Sequence, residues 1–379
     1  MLIYLDNIAT TKVDPKVKEA MFPYFDIEYG NASSIHIKGL EASLAIEKAR
    51  LIIAKKINAQ PEEIIFTSGG TETNNLVLSG LINFSPKIRK HFIISNIEHP
   101  SVYEIGKYYE TKGIKVTYVP VNRNGIVDPE DIKKAITNDT IFVSIMLVNN
   151  EIGTIQPICE IGKICREKGV YFHSDVCQGF TKLEVNVVRQ NLDFATLNGH
   201  KVHGPKGVGA LYMKKNMRIS PLFIGGGQEH SLRPGTYNTP GIVGFGKAVE
   251  ISNGQDIKRM TALRDYLINK VFNDIEDVIL NGAVGDKRVC NNINLIFQSV
   301  DGKKIFMELN KLNIIISTGS ACSSKVLTPS RVIKALGYDD QTAHGAIRIG
   351  ISKWTTKKEI DTVIYNLKKI IKKERDKLK

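Results

Sequence analysis

The sequence predicts an α/β protein with a mostly parallel, seven-stranded sheet. Between about residues 60 and 213, short apolar runs alternate with helical patterns. Many of these runs are rich in Val, Ile and Phe without strict polar alternation, as expected for strands that helices cover on both faces. Polar residues follow several runs, where the carboxyl ends of parallel strands would gather a ligand. The predicted strands are Ile64–Thr67, His91–Ser95, Lys115–Pro120, Thr140–Val148, Val170–Asp175, Leu192–Leu197 and Val208–Met213.

A change of pattern near residues 250–260 predicts a second, smaller unit. A long helical pattern through Ala262–Val271 leads into a region with fewer strand-like runs and a helical end at Lys357–Lys379. We predict a large domain over residues 12–257. A smaller α+β domain is predicted over residues 258–379, with residues 1–11 joined to it.

Composition narrows the class of protein. The chain has 379 residues, of which 42% are hydrophobic and 24% are charged, as in ordinary globular proteins. Its five cysteines include no CxxC pair, which argues against a disulfide framework and a structural zinc site. No apolar stretch approaches the ~20 residues of a membrane helix, and Asp6 interrupts the segment that a signal peptide would need. We therefore expect a cytoplasmic protein without a membrane partner.

The net charge of +13 raises the question of a nucleic-acid partner. The lysines are scattered in pairs, and the densest run, Lys368–Lys379, lies on a predicted terminal helix, where a solvated charged face is usual. Direct nucleic-acid binding is therefore not our prediction. A nucleic-acid-binding protein that retains the fold is the non-enzymatic alternative.

A glycine-rich turn follows the first predicted strand. Ser68-Gly69-Gly70-Thr71 separates that strand from a helix start. Free backbone N–H groups at such a helix end bind phosphate, and Thr71 would add a hydroxyl. The turn has neither the GxGxxG pattern of dinucleotide sites nor the lysine of a P-loop. A plain turn with a threonine cap accounts for the same residues equally well.

Two further strand ends carry an acid and a lysine. Asp175 ends one predicted strand, with Gln178 three residues later, and a carboxylate there needs a cationic partner. Lys201 follows the next strand in a glycine-rich loop, where partial desolvation would make it a Schiff-base nucleophile. A solvated surface lysine is the alternative for Lys201 alone. Together, a phosphate cradle, a buried acid and a loop lysine match the phosphate, pyridinium and aldehyde of pyridoxal 5′-phosphate.

Ten ordered segments carry a family resemblance along nearly the whole chain. They are YLDNIATT (4–11), NASSIH (31–36), FTSGGTETNN (66–75), EHPSV (98–102), VNNEIGTIQPI (148–158), HSDVCQGFTK (173–182), GHKVHGPKGVGALY (199–212), GGGQEHSLRPGT (225–236), STGSACSS (317–324) and GAIRIG (345–350). With these segments the sequence resembles the cysteine desulfurases of the NifS/IscS type. Those enzymes belong to the class V aminotransferase branch of the fold-type I pyridoxal-phosphate enzymes.

The resemblance implies roles around the cofactor. Lys201 would bind the cofactor aldehyde, Asp175 would pair with the pyridinium nitrogen, and Gln178 would hydrogen-bond the ring hydroxyl. His99 would stack on the ring and move protons. The remaining cofactor contacts would come from Gly70, Thr71, Asn150, Asn198, His200 and Thr236. Thr236 would reach the phosphate of the other subunit, which implies a homodimer.

The resemblance also implies a substrate and a sulfur carrier. Arg348 would bind the carboxylate of L-cysteine, and Asn150 and Asn31 would complete the substrate pocket. Cys322, on a mobile catalytic loop at about 317–330, would take the substrate sulfur as a persulfide and leave L-alanine. An iron–sulfur scaffold protein or a tRNA-thiolating enzyme would accept that sulfur. Cys322 could also hold an iron–sulfur cluster transiently, and no other metal is expected.

The other four cysteines are predicted to be structural. Cys159, Cys165 and Cys290 lie in apolar or helical patterns, and Cys177 is interpreted as packing near the cofactor. A selenocysteine lyase and a class V aminotransferase are the alternatives within the same fold. An aminotransferase would need no cysteine on a flexible loop. The sequence departs from the family's usual residues at Ile8, Ala32, Val176 and Asn198.

Overall fold

The computed structural model describes residues 2–85, 90–318 and 329–377. The strands in these residues are β1 (Ile3–Tyr4), β2 (Ile64–Thr67), β3 (His91–Ser95), β4 (Lys115–Val119), β5 (Thr140–Ser144), β6 (Tyr171–Asp175), β7 (Phe194–Asn198), β8 (Gly209–Met213), β9 (Val278–Leu280), β10 (Asn292–Phe297), β11 (Ile314–Ile315) and β12 (Ala346–Gly350). The α-helices are α1 (Pro15–Met21), α2 (Pro23–Asp26), α3 (Ile37–Lys56), α4 (Gly70–Phe84), α5 (Pro100–Glu110), α6 (Pro129–Ala135), α7 (Ile158–Lys168), α8 (Thr239–Glu250), α9 (Gly254–Asp274), α10 (Gly302–Lys311), α11 (Arg331–Ala335), α12 (Asp340–His344) and α13 (Lys357–Asp376).

The main sheet has seven strands in the order β2-β8-β7-β6-β5-β3-β4. The strands from β7 to β4 pair in parallel, whereas β8 runs antiparallel to both of its neighbours. All seven predicted strands are present, so the predicted α/β fold with a mostly parallel sheet is confirmed.

Both faces of this sheet are buried, which explains why its strands lack polar alternation. On β3, Ile93 joins one hydrophobic cluster, while Phe92 and Ile94 point to the opposite face and join another. The second cluster includes Leu76 and Val77 of α4. A strand between two helical layers gains stability from apolar residues at every position.

The end of β5 was predicted too late in the chain. The strand stops at Ser144, although the apolar run continues to Val148. Residues 145–148 are buried connecting chain, and the N–H groups of Ile145 and Leu147 donate to the backbone of β6. Because residues 145–148 are buried, they are apolar although they lie beyond the strand. A prediction from the apolar run alone therefore made the strand too long.

The C-terminal part of the chain has its own antiparallel sheet, in the order β12-β10-β9. Strand β1 pairs in parallel with β11, and Asp6 forms a bridge with Gly350 at the end of β12. Residues 3–6 therefore lie beside strands of the C-terminal part. The domain boundaries at 11/12 and 257/258 stay a prediction. No helix in the described ranges is long and apolar enough to span a membrane.

A buried ion pair joins α3 to the segment before α8. Both terminal nitrogens of Arg50 donate to the carboxylate of Glu229, at 2.9 and 2.7 Å, and the N–H of Phe66 donates to the same carboxylate at 2.7 Å. Glu229, His230 and Ser231 all have positive φ angles, between 46° and 63°. Three consecutive positive φ angles are unfavourable for residues with a Cβ. The ion pair between Arg50 and Glu229 therefore helps to hold the backbone of residues 229–231 in this conformation.

Replacing Glu229 with Ala should strongly destabilise the protein. The substitution removes the buried carboxylate and leaves Arg50 with the exposed Glu47 as its acidic partner, at 3.0 Å. Breaking a buried pair costs about 3–5 kcal/mol, and Glu47 offsets part of that loss. We expect a clear drop in the urea concentration at which half of the protein is unfolded, measured by circular dichroism. The control is Glu250→Ala, which breaks the exposed pair with Lys247 and should change the midpoint little. Equal midpoints for the two variants would contradict the prediction.

Candidate active site

The predicted site residues gather at the carboxyl ends of the parallel strands. Asp175 ends β6 and Asn198 ends β7. Thr67 ends β2, and the glycine turn then leads into α4. His99 lies just after β3, where it forms the N-cap of α5. The sheet topology therefore brings together four chain segments that are far apart in the sequence.

The glycine turn before α4 leaves room for an anion. Gly69 has a φ of 152° and caps α4 without a side-chain hydrogen bond, and a Cβ built on it meets nothing within 4 Å. A Cβ on Gly70 would lie 3.1 Å from the Cys177 sulfur and 3.4 Å from the Asn198 amide nitrogen. Thr71 is exposed in the first turn. An uncapped helix N-terminus beside an amide suits a phosphate group.

Residues 8–11, the N-terminal segment, cross the site and hold its polar side chains. The Nζ of Lys201 donates to the carbonyls of Ile8 and Ala9, at 2.5 and 2.7 Å. The amide of Gln178 donates to the same Ile8 carbonyl at 3.2 Å. The Nδ1 of His200 lies 3.1 Å from the Thr10 hydroxyl. The N-terminal segment thus contacts three predicted cofactor-binding residues, two through backbone carbonyls and one through the Thr10 hydroxyl.

The surroundings of Lys201 favour its neutral amine. Burial lowers the pKa of Lys201 to about 8, and the positive charge of Arg348 acts in the same direction. Lys182 adds a smaller effect of the same sign, and its Nζ donates to the carbonyl of Lys201 at 3.2 Å. A neutral lysine amine is a nucleophile and a base. Lys201 therefore has the electrostatic environment of a reactive lysine rather than of a solvated surface charge.

Arg348 of β12 is a buried cation with unused donor capacity. Its side chain is 2% exposed and donates to Asp6 at 2.9 Å and to the carbonyl of Asn150 at 3.3 Å. Among the described residues its Nε has no hydrogen-bond partner. A buried guanidinium with a free N–H suits a carboxylate, which accepts two parallel hydrogen bonds.

The segment that contains Cys322 starts and ends on site residues. The backbone of Ser317 pairs with Arg348 through hydrogen bonds of 3.0 and 2.7 Å. At the other end, the Ser330 hydroxyl donates to the Glu151 carboxylate at 2.5 Å. Cys322, and most of the predicted loop at 317–330, lie outside the described residues. Within the described ranges, no three His, Cys, Asp or Glu side chains are grouped to hold a metal ion.

This chain matches the aminotransferase class-V family over residues 3–363. The chain belongs to that family. Among curated proteins it is similar to the cysteine desulfurase IscS of Rickettsia typhi, with 48% identity over 368 residues, which are 96% of this chain and 89% of the relative. The cysteine desulfurase IscS of Rickettsia bellii is 47% identical over 99% of this chain and 92% of its own length.

Two solved structures also resemble this class-V chain. A structure described as a NifS-like protein superimposes with a TM-score of 0.91 at 36% identity, covering 98% of this chain and all of the other. A structure described as SspA in complex with cysteine gives a TM-score of 0.84 at 36% identity, covering 93% of this chain and all of the other.

Two predicted site residues, Asn31 and Thr236, are exposed and make no hydrogen bond to another predicted site residue in the described part of the chain. Asn31 is exposed and accepts a hydrogen bond from the N–H of Ser33 at 3.0 Å. Thr236 is also exposed, in the chain that follows the strained turn at residues 229–231. Their roles stay predictions.

The prediction that Cys159 is a core thiol is wrong. Cys159 is exposed in the first turn of α7, because the apolar face of that helix is formed by Ile158, Ile161 and Cys165. Cys165, Cys177 and Cys290 are buried. Helical context alone therefore did not tell which face Cys159 occupies.

Three of the four residues that depart from the family's usual pattern have buried or partly buried side chains, and the fourth lies at the site. The Ile8 side chain is 1% exposed and fills the space beside the Gly350 backbone, while its carbonyl serves the site. Val176 belongs to the main hydrophobic core, and Ala32 packs against that core. Asn198 stays at the site, where its Oδ1 accepts the N–H of Lys201 at 3.3 Å.

Several residues that hydrogen-bond or pair with predicted site residues are not themselves among the predicted ones. Asp6 pairs with Arg348, Glu151 accepts from Ser330, and Asn74 donates to Asp175 at 3.0 Å and to Ser101 at 2.8 Å. Asp6, Glu151, Asn74 and Ser101 all lie inside the ordered motifs quoted above. Position in a motif was therefore a usable signal, but it did not give the partner.

The amine of Lys201 should lose its proton near pH 8 instead of near the ordinary 10.5. After reductive ¹³C-methylation, the methyl signal absent from Lys201→Met identifies the residue, and its titration gives the pKa by NMR. Arg348→Met should raise that pKa, because it removes a nearby positive charge and leaves the negative Asp6 without its partner. A wild-type midpoint near 10.5 would contradict the prediction.

Proposed function

We propose that this class-V chain is a pyridoxal-phosphate-dependent cysteine desulfurase. It converts L-cysteine to L-alanine and keeps the sulfur as a persulfide on Cys322. The observation that carries the proposal concerns Arg348, a buried cation whose Nε has no hydrogen-bond partner among the described residues. Its charge is close enough to lower the pKa of Lys201, and its backbone pairs with Ser317 at the start of the Cys322 segment. Similarity to curated cysteine desulfurases over 96% of the chain supports the same activity.

The residues of the site fit pyridoxal phosphate. The uncapped start of α4, with Gly70, Thr71 and Asn198, would hold the phosphate, and His200 would lie beside it. Asp175 would hold the protonated ring nitrogen, Gln178 the ring hydroxyl and Lys201 the aldehyde. His99 would stack on the ring, and Asn150 would line the pocket. When bound, the cofactor supplies an electron sink that makes the proton on the substrate Cα acidic.

The chain's own groups perform the remaining chemistry. Arg348 would bind the carboxylate of L-cysteine and orient it, with Asn150 and Asn31 completing that pocket. Lys201, as a neutral amine, would remove the Cα proton and carry it to the next acceptor, and His99 would hold or donate a proton. The Cys322 thiolate would attack the substrate sulfur. A sulfur–sulfur bond forms, the carbon–sulfur bond breaks, and its electron pair stays on the carbon fragment, which becomes alanine after protonation.

The persulfide must then leave the site. We infer that it passes to an acceptor protein, either an iron–sulfur scaffold protein or a tRNA-thiolating enzyme, in the cytoplasm. The backbone of Arg348 pairs with Ser317, and Glu151 accepts from Ser330, so both ends of the segment that carries Cys322 lie against residues of the proposed site.

Cys322→Ala should abolish sulfide release from L-cysteine in the presence of a reductant, while the visible absorbance of the bound cofactor remains. The thiol accepts the sulfur, whereas Lys201 and Asp175 keep the cofactor. Cys159→Ala is the matched control, because it removes an exposed thiol on α7 and should leave both properties unchanged. Sulfide, alanine and the absorbance spectrum are measured for each protein.

Each alternative has its own outcome in that experiment. Full sulfide release by Cys322→Ala would favour a selenocysteine lyase or an aminotransferase. A wild-type protein that stays colourless after addition of the cofactor would contradict the enzymatic proposal. Salt-dependent tRNA binding by such a colourless protein would favour the nucleic-acid-binding alternative.

A homodimer is the second part of the proposal. Helix α3 buries Ala42, Ile46, Ala49 and Ile53, yet on its opposite side Ile37, Leu40, Leu44 and Leu51 are 52–66% exposed. A surface helix normally presents polar residues on its outer face, so this apolar stripe needs a partner. A second copy would cover it, and Thr236 and Asn31, both exposed in one subunit, could complete the site of the other.

Leu44→Glu should convert the dimer into monomers and lower the activity. The charge would fall within the apolar stripe of α3, where burial against a second copy would leave the charge unpaired. Light scattering after size-exclusion chromatography gives the mass. Leu312→Glu is the control, because Leu312 is also about half exposed but lies at the end of α10. A Leu44→Glu protein with the wild-type mass would contradict this interface.

A further inference from the structure

A continuous chain of hydrogen bonds joins Asp175 to His99. The amide nitrogen of Asn74 lies 3.0 Å from Asp175 Oδ2 and 2.8 Å from Ser101 Oγ. Ser101 Oγ lies 2.8 Å from His99 Nδ1. Asn74 is fully buried, Asp175 is buried, and His99 and Ser101 are half-buried. The chain therefore runs between two proposed cofactor contacts through two residues with no role in the proposed chemistry.

Each hydrogen bond in this chain can run in only one direction. An ionised carboxylate accepts and does not donate, so Asn74 must turn its NH₂ group towards Asp175. The second hydrogen of that NH₂ group points to Ser101 Oγ, which accepts it. The hydroxyl hydrogen of Ser101 is then free to donate to His99 Nδ1. The charge of Asp175 thus fixes the direction of the first two hydrogen bonds, and the backbone of α5 decides the direction of the third.

The backbone imposes the same requirement on His99. His99 is the N-cap of α5, and its Nδ1 accepts the N–H of Ser101 at 3.2 Å. A protonated Nδ1 could not accept either donor. In the neutral imidazole the proton must then reside on Nε2, which makes no hydrogen bond to the residues described here.

We propose that Asn74 and Ser101 are positioning residues that fix the neutral tautomer of His99 with its proton on Nε2. This deepens the proposed function and rests on it for its catalytic meaning. A neutral His99 in this tautomer presents Nε2–H as a hydrogen-bond donor and cannot accept a proton there. His99 would therefore stabilise negative charge on the cofactor or substrate by a hydrogen bond from Nε2 and would not act as a base at that nitrogen.

Burial and nearby charged groups shift the pKa of His99. Burial lowers the pKa of His99, the negative charge of Asp175 opposes this effect, and the positive charges of Lys201 and Arg331 reinforce it. Donors to Nδ1 stabilise the neutral ring and lower the pKa as well. Removing the Ser101 hydroxyl should therefore raise the pKa of His99.

The test is a histidine ¹⁵N NMR titration of the full-length chain, with and without added pyridoxal phosphate. The chain has eight histidines, and His99→Asn identifies the signals of His99. In the wild type at high pH, Nδ1 should be unprotonated and Nε2 protonated. Ser101→Ala leaves only the longer backbone contact to Nδ1, at 3.2 Å, and Asn74→Leu frees the Ser101 hydroxyl to turn away. Each variant should therefore raise the fraction of the ring with its proton on Nδ1 and raise the pKa of His99. Ser101→Thr, which keeps the hydroxyl, should restore the wild-type pattern.

Ser144→Ala is the matched control. Ser144 Oγ lies 2.8 Å from Nδ1 of the buried His173, so the substitution removes an equivalent serine–histidine contact. It should change the signals of His173 and leave those of His99 unchanged. If Asn74→Leu does not fold, the comparison of Ser101→Ala with Ser101→Thr still tests the proposal.

The outcomes separate this proposal from the proposed function. A wild-type His99 with its proton on Nδ1 would overturn the proposal, and so would unchanged His99 signals in Ser101→Ala. Loss of activity in Ser101→Ala with an unchanged tautomer would show a merely structural role and would also overturn it. If the wild type releases no sulfide from cysteine but shows the expected tautomer, the hydrogen-bond chain stands and the desulfurase proposal fails.

Discussion

The site depends above all on the hydrogen bonds that residues 6–11 make as they cross it. Backbone carbonyls at Ile8 and Ala9 hold the amine of Lys201, and the carboxylate of Asp6 holds Arg348. The same stretch begins directly after β1, which pairs with β11 of the C-terminal part. Carbonyl oxygens orient an ammonium group without a negative charge that would raise its pKa. The chain can therefore hold Lys201 firmly and still leave it with a pKa near 8.

Three positively charged side chains lie close together beside this segment, and together they favour the binding of anions. Lys201, Arg348 and Lys182 lie close enough for each of the other two to lower the pKa of Lys201. Such a cluster repels itself unless anions enter it. The free Nε of Arg348 and the uncapped start of α4 are two places that an anion would stabilise. A substrate carboxylate and a cofactor phosphate would each neutralise charge that the fold leaves uncompensated.

The sheet was predictable from the sequence because burial on both faces demands apolar residues at successive positions. The same rule misplaced the end of β5, since residues 145–148 are equally buried without being a strand. Lys201, Asp175 and Gln178 were predictable because their types and order along the strand ends match one cofactor. Asn74 and Ser101 were not predictable, because a hydrogen-bond chain across one strand and two helices has no pattern in the sequence. Cys159 was misplaced because one residue more or less on a helix turns a side chain by about 100°.

Asp175 connects the two halves of the proposed site because one carboxylate makes several contacts. Its Oδ2 accepts from Asn74 and its Oδ1 accepts the N–H of Cys177, so both oxygens are held in fixed positions. An ionised carboxylate that would hold a ring nitrogen protonated also orients the amide of Asn74, and through it the Ser101 hydroxyl that donates to His99. The backbone N–H of Ser101 donates to the same nitrogen of His99, so side chains and backbone favour one tautomer. This one carboxylate therefore links the electron sink on one side of the site to the hydrogen-bond donor at His99 Nε2 on the other.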